Sequence, residues 1–201
     1  MINFDSGSIR FGGEAIKFTE MPALLSAHTT WCPDTPDVEK AAAAFVAAPS
    51  IDGAIEVVHR TCYWGGSNGP RILPMILRQN SGEQIQSSFE RAAATLQRGR
   101  GVAELGQALS IVNELSYLGQ PSFASKMLRM LNPQVSGVLD SLVHGAAGYS
   151  LDRRGYSLYS AKLQDIANML DEQGVENTRG FSMWRAADVD AGIFARIRGW
   201  R

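Results

Sequence analysis

Helical periodicity, broken at short intervals by glycine and proline, is the feature that most restricts how this chain can fold. Apolar residues recur at three- and four-residue spacing in Ile55–Cys62, Ile85–Leu96, Leu105–Leu115, Phe123–Leu131, Leu158–Leu170 and Ile193–Ile197. Between them lie Gly65-Gly66-Ser67-Asn68-Gly69-Pro70, Gly99-Arg100-Gly101, Asn132-Pro133, Gly145-Ala146-Ala147-Gly148 and Gly174. Glycine permits positive φ, and proline removes a backbone donor and biases the residue before it away from helix. Segments of this length bury an apolar stripe only by packing on one another. The pattern therefore predicts a mainly α domain of about eight helices.

Residues 1–35 stand apart. Gly7, Gly12-Gly13, Pro22 and Pro33 interrupt them, and Ile9-Arg10-Phe11 alternates, so a small strand or extended arm packed on the helical body is expected. Asp34 or Thr35 with Pro36 starts the next helix, and Ala41–Ala48 is small enough for close packing. The 201 residues suffice for one domain with a real core. No apolar run is long enough to span a bilayer, and no charged-then-apolar signal opens the chain, so a cytoplasmic protein is expected. The two cysteines, Cys32 and Cys62, cannot by themselves build a structural zinc site or an iron–sulfur site and are expected as reduced thiols.

Leu118–Asp140 is the stretch richest in chemistry. Leu118-Gly119-Gln120-Pro121-Ser122 is a turn, Ser122 can cap a helix carrying Phe123, Met127, Met130 and Leu131, and Asn132-Pro133 ends it. Asp140 then opens a further helix in the apolar segment Val138–Val143. Lys126 lies among Phe, Met and Leu. A partly desolvated ammonium loses proton affinity, and its neutral amine attacks carbonyl or acetal carbon. The alternative is a lysine snorkelling from an amphipathic helix, with Asp140 as a plain cap.

This stretch resembles the helix-hairpin-helix DNA glycosylases, in particular the lysine-bearing 8-oxoguanine branch, whose hairpin of the type L-P-G-V-G-x-K precedes a V-D segment. Leu118–Lys126 stands at the hairpin and lysine, Val138-Leu139-Asp140 at the aspartate, with Pro121 and Ser122 in place of the usual glycines. Trp184–Phe194 is similar to the ending of a bacterial subgroup of 8-oxoguanine-glycosylase-fold proteins. The resemblance implies a single helix-hairpin-helix glycosylase-like domain over 1–201, with hairpin and catalytic helices at 102–148. It implies that Lys126 attacks the anomeric carbon and Asp140 assists. Gly119, Gln120, Ser122, Ser125 and Arg129 would then contact DNA. No cofactor and no metal are called for.

Stacking surface for a flipped base is offered by Tyr63 and Trp64, which precede the glycine-rich segment, and by Phe181 and Trp184. His144, one turn after Asp140, joins these pocket candidates. Arginines at 91, 98, 100, 153, 154, 179, 185, 196, 198 and 201 could line a phosphate-binding groove, against a net charge of −1. The expected activity is a monomeric, bifunctional DNA glycosylase and AP lyase acting on duplex DNA. Its substrate is an oxidised purine in repair or a modified phage base in anti-phage defence. The competing reading is a non-catalytic helical module that binds DNA or protein.

Overall fold

The computed structural model describes residues 1–64 and 68–200. Gly65-Gly66-Ser67, in the glycine-rich segment considered for base stacking, and Arg201 lie outside them.

The chain opens with a three-stranded antiparallel meander: β1 (Asn3–Phe4), β2 (Ser8–Phe11) and β3 (Glu14–Lys17). Ile9 pairs with Phe4 on one side and Ile16 on the other. Alternation turns Ile9, Phe11 and Ile16 inward, all buried in the common core. At the β2–β3 turn Gly12 and Gly13 both have positive φ, and a Cβ on Gly12 would collide with the Ala146 carbonyl.

Ten α-helices follow among the described residues: α1 (Met21–Trp31), α2 (Thr35–Ala47), α3 (Ile51–Trp64), α4 (Gly69–Gln79), α5 (Gly82–Arg98), α6 (Val102–Asn113), α7 (Pro121–Leu131), α8 (Ser141–Ala147), α9 (Arg153–Glu172) and α10 (Ala186–Ile197). Side-chain caps set several starts. Ser81 accepts from the Gln84 backbone N–H while the Gln84 side chain accepts from Ser81 N–H, a complete capping box on α5. Asp152 caps α9 through Gly155 N–H at 2.7 Å.

α7 is the central helix. It touches α2, α3, α5, α6 and α9, and every residue from Ala124 to Leu131 is buried. α1 packs along α10, so the first and last helices close one side of the body.

The mainly helical expectation holds, with three differences. Residues 21–31 form a full helix rather than part of an extended arm. This helix draws its stability from α10, against which Met21, Leu24, Leu25 and His28 are buried. The helix expected through Leu115 from the apolar spacing of Leu105–Leu115 stops at Asn113. Asn80 captures Ser116, accepting from its N–H at 2.9 Å and donating to its carbonyl at 3.1 Å, and Tyr117 takes φ +66°. Tyr117 is consequently 46% exposed. Leu158, expected in the core, faces outward on α9. No helix among the described residues is long and apolar enough to cross a membrane.

Candidate functional site

α7 enters the core with its N-terminus against the segment that leads into α8, and a single side chain ties the two together. Ser125 Oγ accepts from Leu139 N–H at 3.1 Å and donates to the Ser122 carbonyl at 3.2 Å. The next residues on either side of that tie are Lys126 and Asp140. Asp140 caps α8, its Oδ1 accepting from the Leu142 and Val143 N–H groups at 3.0 Å each. Gly137 permits the approach, because a Cβ there would run into Leu163, Tyr159 and Asp190.

Lys126 and Asp140 line one cavity of about 560 Å³. Its walls come from the ends of α1, α3 and α10 and the starts of α7 and α8. Four aromatic rings face it: Trp64, Phe123, Phe194 and Trp200. Trp200 packs edge-on to Phe194 at 5.5 Å and stacks on Trp31 at 5.7 Å, which extends the aromatic wall outward. Trp64 is held by its indole N–H, which donates to Thr35 Oγ1 at 2.9 Å.

Burial displaces Lys126, Asp190 and His28, at this cavity, from their ordinary behaviour. Lys126 is 8% exposed, with Nζ 5.0 Å from the Phe123 ring centre. Burial lowers its pKa, and the charges of Asp140 and Cys62 partly offset that. Asp190 is buried and receives the Tyr159 hydroxyl proton at 2.6 Å. Loss of water pushes its carboxyl up to about 7, against the pull of the Tyr159 hydroxyl, Arg129 and the Val138 N–H. His28 is pushed down to about 3, by burial first and then by Arg129 and Arg179. The cavity thus holds an amine of reduced basicity, a carboxylate at a helix N-terminus, a carboxyl that titrates near neutrality and a neutral imidazole. The convergence of Lys126, Asp190 and His28, each displaced, in one cleft makes this the candidate site.

The structure therefore brings together Lys126, Asp140, Ser122 and Trp64 from the residues anticipated in the sequence. It separates the others. Arg129 is not a DNA contact: it is 1% exposed and paired with Glu39 at 3.2 Å. Ser125 is likewise internal, spent on the tie to Leu139. Gly119 and Gln120 are exposed in the turn before α7, where the Gln120 carbonyl accepts from Phe123 and Ala124 N–H.

Trp184 is 3% exposed and offers no base pocket, since its indole N–H is bound to the Val175 carbonyl at 2.7 Å. Phe181 lies 3.8 Å over the Arg185 guanidinium beside a different cavity. Tyr63 is 59% exposed against His59, and His144 places Nδ1 2.6 Å from the Tyr149 carbonyl; neither lines the Lys126 cavity. Four of the ten arginines expected along a phosphate groove are instead held by acids. Arg179 and Arg185 are buried with Glu39 and Asp188, Arg91 pairs with Glu114, and Arg196 pairs with Glu20.

Residues overlooked in the sequence as cavity walls are His28, Cys32, Asn68, Phe123, Asp190, Phe194 and Trp200, and Arg198, expected in a phosphate groove, joins them there. Asp190 carried a signal, an acid inside the otherwise small and apolar run Val189–Phe194. His28 and Trp200 carried none, because each reaches the cavity only through the docking of α1 on α10. Among the described residues no group of three or more His, Cys, Asp or Glu is placed to hold a metal ion. No protein-family model matches the chain, and no curated protein or solved structure matches it significantly.

Proposed function

We propose that this chain is a DNA N-glycosylase with AP lyase activity, acting as a monomer on duplex DNA in the cytoplasm, with Lys126 as nucleophile and Asp140 as its charged partner. One observation carries the reading: a buried lysine of reduced basicity and an aspartate at a helix N-terminus share an aromatic-walled cavity. Its volume of about 560 Å³ falls in the range of small-ligand sites, roughly 300–1,000 Å³. A base reaches such a site only by leaving the stack, and aromatic faces offset the lost stacking.

The chemistry follows from the groups present. Neutral Lys126 Nζ forms a bond to C1′ as the glycosidic electron pair departs on the base, which takes up a proton. The Asp140 carboxylate stabilises the positive charge that develops on the sugar. The new C1′–N ammonium gives up one proton, its lone pair forms the C=N bond as the O4′–C1′ pair moves onto O4′, and O4′ takes that proton (the base having taken its own from water), which leaves a protonated imine between Lys126 and C1′. Loss of a C2′ proton then expels the 3′-phosphate by β-elimination. The excised base is an oxidised purine or a modified phage base.

Borohydride trapping on duplexes carrying oxidised, deaminated, abasic and glucosylated nucleotides tests this. The native protein should yield a covalent adduct and Lys126→Ala none, with DNA binding retained. No adduct and no base release on any duplex would refute the reading. DNA binding surviving in both proteins would then favour the non-catalytic helical module.

A further inference from the structure

We propose that Arg129 is a positioning residue for base departure: from behind Trp64, its guanidinium charges the back of that indole, so that the ring's cavity side stabilises a nucleobase as it leaves with negative charge. The proposal rests on the glycosylase reading and adds a device for the leaving group.

The first support is a charge count. Among the described residues the Arg129, Arg179 and Arg185 side chains, 1%, 7% and 4% exposed, form ion pairs with two carboxylates, Glu39 and Asp188, while the third buried acid nearby, Asp190, is bound by the Tyr159 hydroxyl instead. Arg179 reaches Glu39 at 3.1 Å and Asp188 at 3.0 Å; Arg185 reaches them at 3.0 and 2.7 Å. These two guanidiniums already answer both acids. Arg129 shares one oxygen of Glu39, spends Nη1 also on Met130 sulfur at 3.3 Å, and its Nη2 has no hydrogen-bond partner among the described residues. Arg129 is therefore the least compensated of the three guanidiniums. A surplus buried charge is costly, and a position needed only for packing would be served better by an apolar side chain.

The second support is where that charge is aimed. Arg129 Cζ lies 4.9 Å from the Trp64 ring centre, within cation–π range. Trp64 lines the cavity and Arg129 does not. The indole thus separates the cation from the space where a base would sit, and the hydrogen bond to Thr35 holds it there. Arg129 is also close enough to act electrostatically on His28, Cys32 and Asp190, all of which line the cavity. A cation behind one face of an aromatic ring draws electron density away from the other and favours electron-rich partners there.

The third support is complementarity. Asp140 serves the positive charge that grows on the sugar, and nothing in that role serves the base. When the C1′–N bond breaks, its electron pair moves to the base nitrogen, while the Lys126 lone pair makes the new bond to C1′ and a proton later neutralises the base. The contribution of Arg129 to the base is greatest while that pair is on the base.

This predicts a split between two reactions of one active site. Arg129→Met leaves two guanidiniums for two carboxylates, a balanced network that should fold. Its single-turnover base release, on whichever damaged duplex the native protein processes, should fall about 10- to 30-fold. Borohydride trapping on an abasic duplex, which has no base to expel, should stay within about twofold. Trp64→Leu should remove the dependence, so that Arg129→Met adds little further loss in the double variant. Equal losses on both duplexes, or no loss on either, would overturn the proposal, as would full additivity with Trp64→Leu. A native protein that neither releases a base nor traps an abasic site would instead remove the glycosylase reading, and this proposal with it.

Discussion

His28 and Asp190 face the same cavity with opposite responses to pH. His28 has its folded pKa depressed to about 3 from 6.5, so the unfolded chain takes up a proton that the folded one refuses. Its contribution is intact above about pH 6.5 and is lost as pH falls below that value. Asp190 has its folded pKa raised to about 7 from 3.8, so the folded chain keeps a proton that the unfolded one has released. Its contribution is intact below about pH 4 and is lost as pH rises toward 7. Each effect is on the order of a few kcal/mol. Chemical denaturation from pH 5 to 8 should show His28→Gln gaining on the native protein as pH falls, and Asp190→Asn gaining as pH rises. A difference that stays constant with pH would show that these groups titrate as they do in the unfolded chain. Glu39 and Asp188 do not confuse this window. Their pKa values are lowered by the surrounding arginines despite burial, and they act at lower pH.

At the scale of elements, α8 raises a question of separable roles, because Asp140 both caps the helix and lies beside Lys126. Asp140→Asn keeps an oxygen for Leu142 and Val143 N–H and removes the charge. Asp140→Ala removes both and should cost about 1 kcal/mol of stability. Thermal unfolding should therefore rank Asn close to native and Ala below it. Base release should be lost in both to a similar degree, roughly 10²-fold or more. If Asn retained near-native turnover, Asp140 would be a cap alone.

These elements also show what could be read from the chain. The start of α5 was legible from Ser81 and Gln84, the end of α7 from Asn132-Pro133 and the start of α8 from Asp140, since each is local chemistry. α1 was not, because its apolar face has meaning only against α10. The early stop of α6 was not, because Asn80, 36 residues away, imposes it. Lys126, Asp140 and Trp64 announce themselves by residue type. Arg129 announces itself too, but in the wrong role, since nothing in its neighbours reveals that Glu39 draws it into the core.

For the whole molecule, electrostatics sets how DNA would be gripped. With a net charge of −1 and Arg91, Arg179, Arg185 and Arg196 committed to acids, the arginines of the expected groove left for phosphates among the described residues are Arg98, Arg100, Arg153, Arg154 and Arg198. Affinity for duplex DNA should fall with salt with a log–log slope of only about −2 to −4, measurable by fluorescence anisotropy. A slope near −8 would mean that a larger basic surface is engaged. The sheet offers a separate handle on the same body. Gly12→Ala strains a positive φ and presses a Cβ into α8, so it should lower stability by about 1–3 kcal/mol.

The pairing of α1 with α10 has a consequence for the order in which the molecule becomes itself. Glu39 meets Arg129 early in synthesis, but Arg179, Arg185 and Asp188 reach it only with the last stretch of chain, and Phe194 and Trp200 bring the final wall. Until α10 has left the ribosome, Lys126 has no enclosed cavity, and the apolar side of α1 has nothing to cover it. A stalled or clipped chain would therefore be sticky and inert together, and the reactive amine would be assembled only in molecules that have finished folding.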